Sequence, residues 1–166
     1  MGCIIHEEET KPFTLVRPPT HKGAFRVSAG RLERHSIENL GELESDFLRV
    51  ELLRARLGVK TLEFRGPAPN DLTHNLSTTE FSSPPLSIVR TICAGKTQCS
   101  IPAAQAPCVI VALSNSTITS NGQSNSLDLG GVMAVPPRQS LLLSPIGDEP
   151  AHILQMVVHP ARSANR

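Results

Sequence analysis

The sequence predicts a mainly β protein, in which an antiparallel sandwich or barrel follows a short helical segment. After Pro85 the chain is a series of short apolar segments joined by tight turns, which is typical of antiparallel sheets and not of βαβ units. The core must be built from Val, Ile and Leu, because Trp and Tyr are absent and only 5 Phe are present. A chain of 166 residues has room for one sizeable core, so we expect one domain in this chain.

Residues 86–160 carry the predicted β domain as a set of apolar segments. These segments are LSIVRTICA, TQCSIP, PCVIVALSNSTITS, SLDLGGVMAVP, QSLLLSPI and AHILQMVVH. Turn-forming stretches separate them, namely GK, AAQA, NGQSN, PR and GDEP. Because one face of such a sheet packs inward, we expect Val111 and Val132 to lie in the core.

Four kinds of segment precede this β domain. Residues 1–22 are polar and aperiodic, which predicts an extended arm, while GAFRVSAG (Gly23 to Gly30) alternates apolar and polar residues and predicts a short strand. Residues 65–85 hold four prolines and many turn formers, which predicts a long loop. From Leu40 onward, apolar residues recur at spacings of three and four, which predicts the short helix. The residues of this pattern are Leu43, Phe47, Val50, Leu53 and Leu57.

Charge and composition exclude several kinds of partner. The 16 Lys and Arg balance 15 Asp and Glu, so the chain lacks the basic surface typical of proteins that bind nucleic acid or an anionic membrane. Without Trp and Tyr it also lacks the rings on which sugars and unpaired bases stack most often. No apolar run approaches the ~18 residues that span a bilayer. We predict no nucleic-acid partner and no membrane partner, and we leave a protein partner open.

The four cysteines bear on the cellular compartment. Cys3, Cys93, Cys99 and Cys108 form neither a C-x-x-C pair nor a zinc-ribbon pattern. The N-terminus carries no signal-peptide pattern. We therefore expect reduced and mostly buried thiols in a cytoplasmic protein.

The stretch GGVMAVPPRQSLLL carries the first resemblance to a known family. Its Gly131, four strand residues and Pro136 resemble the second conserved motif of cupin jelly rolls, in which the Gly opens a strand and the Pro opens a turn. Metal-binding cupins have a histidine shortly after that proline, whereas this chain has Arg138 and Gln139. The resemblance implies a cupin-like antiparallel jelly roll without this metal ligand, and it implies backbone roles for Gly131 and Pro136.

The order of the segments is similar to the C-terminal cupin domain of type I mannose-6-phosphate isomerases. In that family a Pro-Pro pair precedes a strand, a PA…GP turn leads into an ILLVLSG strand, and L-x-x-G-x-V-x-F-x-P-A follows. The counterparts here are Pro84 and Pro85, IPAAQAP, CVIVALSNS and LDLGGVMAVPP. The resemblance covers half of the chain. It implies a relation to zinc-dependent enzymes that interconvert mannose 6-phosphate and fructose 6-phosphate.

The segment before this domain holds the candidate site residues. The family's segment runs approximately PHAYISGDIVECMAASDNVVRAGLTPK, where the histidine is a zinc ligand and the arginine lies near the substrate. In GRLERHSIENLGELESDFLRVELLRARLGVK, His35 and Arg54 have the same separation. The resemblance therefore implies that residues 23–64 are a remnant of the isomerase central segment, with His35 as a metal ligand and Arg54 as the catalytic arginine. Without it, His35 is interpreted as a solvent-facing histidine and Arg54 as a solvated charge on an amphipathic helix.

The resemblance leaves the zinc site incomplete. In the family an upstream Gln-x-His pair and a Glu complete the ligand set, and this chain has no Gln-x-His. A catalytic zinc needs at least three protein ligands. We therefore assign zinc and the sugar phosphate to the complete family, and we expect this chain to be a truncated, divergent C-terminal portion that binds no zinc tightly and is inactive alone. The alternative is a non-catalytic cupin-like module that acts through protein contacts.

Overall fold

Short strands make up most of the computed structural model, which describes residues 2–6, 13–17, 20–28, 35–42, 47–52 and 63–159. The strands are β1 (Gly2–His6), β2 (Phe13–Arg17), β3 (Phe25–Ser28), β4 (His35–Asn39), β5 (Glu63–Gly66), β6 (Leu76–Ser82), β7 (Leu86–Cys93), β8 (Cys99–Ile101), β9 (Cys108–Ala112), β10 (Ser116–Ser120), β11 (Gln123–Leu127), β12 (Val132–Val135), β13 (Leu141–Pro145) and β14 (Ala151–Val158).

The eight consecutive strands β7 to β14 form a jelly roll. One sheet has the order β12-β9-β14-β7, extended at its edge by β6, and the other has the order β11-β10-β13-β8. All of these strands pair antiparallel. Apart from the β10–β11 and β6–β7 hairpins, neighbours in each sheet are not consecutive in the chain, which is the arrangement that a pair of Greek keys produces in an eight-stranded jelly roll. The prediction of a mainly β antiparallel jelly roll after Pro85 is confirmed.

The inner faces of the two sheets fill the jelly roll with aliphatic side chains. Ile110 and Ile153 from the five-stranded sheet meet Ile118 and Leu143 from the four-stranded sheet, and all four are fully buried. Each such side chain stabilises the fold by about 1.5–3 kcal/mol relative to its exposure in water. The absence of Trp and Tyr therefore costs the core nothing, since branched aliphatic residues close it.

The two valines predicted in the core have different environments. Val111 is 7% exposed, as expected, but Val132 is 49% exposed, so the prediction for Val132 is wrong. The two are cross-strand partners and share the outer face of the five-stranded sheet. Val111 lies on β9 between two neighbouring strands, whereas Val132 lies on the edge strand β12, where Val135 is the buried residue.

A two-stranded ribbon of β3 and β5 covers part of the outer face of the five-stranded sheet. Phe64 on the ribbon has its ring centroid 5.1 Å from that of Phe81 on β6 and 5.8 Å from that of Phe25. Val27 packs in the same cluster. The strand predicted in GAFRVSAG is therefore confirmed as β3, and its apolar residues form a second small core.

The predicted short helix is not found in the described part of the chain. Residues 47–52 have irregular backbone, and Phe47 and Val50 are exposed. Most helices in proteins depend on packing of an apolar face, and this face has no covering element at Phe47 and Val50. Leu43, Leu53 and Leu57 lie outside the described residues. Nor do the described ranges contain a helix long and apolar enough to cross a membrane.

Two segments without predicted strands contain them. The predicted loop at residues 65–85 includes β6, because its threonines and Phe81 suit a half-buried strand that pairs with β7. In residues 1–22, β1 and β2 join β4 in a three-stranded sheet of order β2-β1-β4. Both observations extend the β content beyond the apolar segments that the sequence marks.

The cysteines differ from expectation at one pair. Cys93 and Cys99 form a disulfide across the turn from β7 to β8, with Cα atoms 5.8 Å apart. This is a separation that a disulfide bridges, so the expectation of four reduced thiols is wrong for this pair. Cys108 is a free, buried thiol whose pKa is raised by burial.

Candidate functional site

His35 and Arg54, the two residues matched to the isomerase site, have different standing in the structure. His35 begins β4, where its Cα partner on β1 is His6. Arg54 lies outside the described residues. The metal-binding role of His35 and the catalytic role of Arg54 therefore stay predictions.

The interior of the jelly roll does not fit a zinc site. Its inward positions carry mostly aliphatic residues, and the buried Gln155 uses its amide to donate to the Pro102 carbonyl oxygen at 3.2 Å and to Cys108 Sγ at 3.3 Å. Across the described ranges, no group of three or more His, Cys, Asp or Glu lies close enough together to hold a metal ion. Since a catalytic zinc needs three protein ligands, we derive no chemical step through a metal here.

The cupin-like motif acts through its backbone. The Gly131 N–H donates to the Asp128 carbonyl oxygen at 2.7 Å, and a Cβ at Gly131 would lie 2.8 Å from that oxygen, closer than side chains approach. After Pro136, Arg138 has a left-handed backbone (φ 61°), and its N–H donates to the Ala104 carbonyl oxygen at 2.7 Å. The residues that stand near the metal-ligand position of metal-binding cupins therefore build a turn.

A buried cation lies on the other side of the sheet. Arg90 on β7 is fully buried on the outer face of the five-stranded sheet. Its Nε and Nη2 donate to the Glu80 carboxylate, the latter at 2.8 Å, and its Nη1 donates to His152 Nε2 at 2.7 Å. Nη2 also lies 2.9 Å from the Gly23 carbonyl oxygen and 3.0 Å from that of Pro67. One guanidinium thus links three strands of the sheet to the two segments that cross over it.

Strand register explains how this cluster forms. Arg90 is opposite Leu154 on β14, so His152, two residues earlier, projects from the same face. On the other side of β7, a β-bulge lies between Thr79 and Phe81 and contains Glu80. The bulge adds one residue to β6 and re-aims a side chain, which puts the Glu80 carboxylate beside the guanidinium.

The protonation of His152 follows from its partner. A guanidinium only donates, so His152 Nε2 accepts, and the neutral ring carries its proton on Nδ1. Burial, the Arg90 charge and the Lys22 charge lower the pKa of His152 to about 4. Apart from the Arg90 bond, the ring makes no hydrogen bond with the described residues. Its Nδ1 atom is not sealed from the solvent. His152 is therefore a neutral imidazole with one open donor.

A cavity of about 310 Å³ lies next to this histidine, at the end of the jelly roll formed by the β9–β10 and β13–β14 turns. We call it the outer pocket. Its polar lining residues are Lys22, Ser114, Glu149 and His152, and the rest of its wall is leucine and proline. Ser114 is already engaged, because its Oγ donates to the Pro150 carbonyl oxygen and accepts from the His152 N–H, both at 2.9 Å. The groups open to a ligand are those of Lys22, Glu149 and His152.

Sequence reasoning missed this site because no motif in the sequence singles out Arg90 or His152. One signal was present: Arg90 interrupts LSIVRTIC and His152 interrupts AHILQMVV, both otherwise strongly apolar. Charged or titratable residues inside a buried strand are rare and are usually paired. The sequence does not show that Arg90 and His152 contact each other, because the two residues are far apart along the chain.

Comparison with known proteins gives likenesses at the level of folds. No protein-family model matches the chain, and no curated protein matches its sequence. Among solved structures, a cupin superfamily protein from Desulfitobacterium hafniense is 18% identical, with 56% of this chain and 84% of that chain covered and a TM-score of 0.46. An RmlC-like cupin family protein from Methanocaldococcus jannaschii is 12% identical, with 55% and 86% covered and a TM-score of 0.48. A cupin domain from Bordetella pertussis is 8% identical, with 52% and 94% covered and a TM-score of 0.44.

The strand order itself defines the class of the protein. An eight-stranded antiparallel body with sheets β12-β9-β14-β7 and β11-β10-β13-β8 is a jelly roll, the architecture of cupins. The chain is therefore a cupin-like jelly-roll protein.

Proposed function

We propose that this chain is a non-catalytic cupin-like module, related by descent to the C-terminal part of mannose-6-phosphate isomerases but without isomerase activity of its own. One observation carries the proposal: the inner faces of both sheets are closed by fully buried aliphatic residues such as Ile110, Ile118 and Leu143. A site for a sugar phosphate needs a concave space into which polar groups converge, and the space between the two sheets is filled mainly by aliphatic side chains.

The isomerase reaction explains why a chain with such an interior can descend from these enzymes and yet lack their activity. The reaction removes a proton next to a carbonyl, stabilises an enediolate and returns the proton to the neighbouring carbon. In the related enzymes zinc polarises the carbonyl, and an arginine such as the one matched by Arg54 can steady the negative charge. His35 is the single match to a zinc ligand, which supports the view that zinc is not held tightly.

A coupled isomerase assay on the metal-replete full chain tests the proposal, with the zinc content measured on the same sample. We expect no turnover of mannose 6-phosphate above the blank, and less than one zinc per chain. The His35→Ala variant should match the parent protein, as should a control at the exposed His74. Turnover that is lost on chelation and in His35→Ala, but kept in His74→Ala, would overturn the proposal.

The proposal includes a cytoplasmic location and partners other than nucleic acid or membranes. The net charge of +1 supports the second part. The first part rested partly on reduced cysteines, and the Cys93–Cys99 disulfide withdraws that support. Fractionation of cells together with thiol labelling of the unfolded protein distinguishes the alternatives, because a cytosolic chain should label at all four cysteines.

A further inference from the structure

We propose that the outer pocket binds a small organic monocarboxylate. The carboxylate accepts hydrogen bonds from His152 Nδ1–H and from the Lys22 ammonium group, and the apolar part of the ligand lies against Leu72 and Leu113. This site is outside the jelly roll and makes no use of isomerase chemistry, so it goes beyond the function proposed above. Its volume of about 310 Å³ is sufficient for a small organic acid.

The first donor is a buried side chain with an unused hydrogen. His152 is 3% exposed, and its Nε2 is occupied by Arg90. Its Nδ1–H has no partner in the described ranges, although the residue lines the cavity. Nδ1 is not sealed from the cavity, so an acceptor atom of a ligand can replace water on this donor. The open donor therefore favours a ligand that carries an acceptor.

Arg90 makes this donor stronger and holds it in place. Its charge lies on the far side of the ring, and its hydrogen bond to Nε2 draws electron density away from Nδ1–H. The same guanidinium is neutralised by the Glu80 carboxylate, so the pocket gains a polarised donor without gaining a bare buried charge. The arrangement resembles the way proteins orient a metal-bound histidine through its second nitrogen, here with an organic anion as the acceptor.

The second donor is placed by a tight turn. Residues 21–24 form a turn in which the Ala24 N–H donates to the His21 carbonyl oxygen at 3.1 Å and Gly23 has a left-handed φ of 88°. A Cβ at Gly23 would lie 2.7 Å from His152 Cε1, so only glycine lets this turn cross the ring. Arg90 fixes the turn through the Gly23 carbonyl oxygen. Lys22 is therefore held at the pocket, and its ammonium has no ion-pair partner within the described part of the chain.

The remaining wall selects the charge and shape of the ligand. Leu72, Leu113, Pro69 and Pro150 give the pocket an apolar side that suits a short hydrocarbon body. Glu149 adds a negative charge to the lining. This carboxylate would repel a phosphate dianion, whose two charges a single lysine does not balance. One ammonium, one neutral donor and an opposing carboxylate therefore favour an anion with one charge.

Titration calorimetry of the full chain with 4-methylpentanoate tests the proposal. We expect saturable one-to-one binding with a dissociation constant below about 10 mM, whereas 4-methylpentan-1-ol and inorganic phosphate bind at least about tenfold more weakly. Affinity should be level between pH 6 and 8, because His152 stays neutral throughout that range. No saturable binding of 4-methylpentanoate, or equal binding of the alcohol, would overturn the proposal. Neither outcome depends on the isomerase assay.

Two variants separate the donors. His152→Gln places a side-chain oxygen where Nε2 accepts from Arg90 but lacks the Nδ1 donor, so we expect a folded protein with binding reduced at least about tenfold. Lys22→Gln should reduce affinity about fivefold to tenfold, while the control Arg138→Gln, an exposed cation on the β12–β13 turn, should leave it unchanged. Equal effects of Lys22→Gln and Arg138→Gln, or unchanged binding in His152→Gln, would exclude this site.

Discussion

The two faces of the five-stranded sheet are packed by different chemistry. The inner face is closed by aliphatic residues of the opposite sheet, among them Ile118 and Leu143. The outer face carries aromatic and aliphatic contacts with the β3–β5 ribbon, and next to them the buried Glu80–Arg90–His152 cluster. Hydrocarbon packing makes the inner face stable, and its buried Cys108 thiol and Gln155 amide contact each other. The polar groups that could recognise a ligand are therefore outside the barrel.

Among the variants that test this comparison, one without Arg90 should lose the most stability. Arg90→Met leaves the Glu80 carboxylate and His152 without their partner, and breaking a buried ion pair costs about 3–5 kcal/mol. Urea unfolding monitored by circular dichroism measures the change.

A double variant distinguishes the ion pair from simple packing. If unpaired charge is the cause, Arg90→Met combined with Glu80→Leu should recover stability relative to Arg90→Met alone, since an apolar pair leaves no buried charge. A double variant at least as unstable as the single variant would show that the contacts of Arg90 with the crossing segments, and not its charge, hold the outer face.

Acid should weaken the outer face before the inner face. The pKa of His152 is lowered to about 4 in the folded protein from 6.5, so the folded state disfavours its protonation. The stability that the neutral His152 ring contributes is fully present above pH 6.5. It is lost as the pH falls toward 4, and the loss is at most about 3 kcal/mol. Protonation would also place a cation next to Arg90 and Lys22, with Glu80 as the nearby acid.

The difference between parent protein and His152→Gln isolates this group. Unfolding free energies between pH 7 and 4 should fall more steeply for the parent, and the two curves should converge in slope below pH 4. The exposed His74 gives the matched control, since His74→Ala should leave the slope of the parent unchanged. Parallel curves for the parent and His152→Gln would contradict a lowered pKa at this position.

The smallest expected change in stability comes from substitutions of two valines on the same outer face. Val111→Ala on the central strand β9 should cost about 1–3 kcal/mol, because it opens a cavity at a residue that is 7% exposed. Val132→Ala on the edge strand β12 should change stability by less than about 0.5 kcal/mol, because its side chain is half exposed. Thermal unfolding of both variants measures the contrast, and equal losses would mean that β12 is covered in solution.

Local pattern was sufficient for most of the jelly roll. Apolar runs bounded by Gly, Pro and Asn turns mark the strands from β7 to β14, since alternation and turn chemistry are properties of adjacent residues. The same reasoning failed where pairing decides the outcome. It placed Val132 in the core, assigned residues 65–85 to a loop and predicted a helix that the described residues 47–52 do not form.

The sequence by itself determined the mainly β class, the aliphatic core and the backbone role of Gly131, because each depends on composition or on neighbouring residues. Tertiary structure alone decided which strand is an edge and where the polar groups gather. Lys22, the Glu80–Arg90 pair and His152 are far apart along the chain, and strand register, a bulge and the turn that crosses the sheet bring them to one face. Contacts of that range depend on the closure of the whole fold, so no local pattern encodes them.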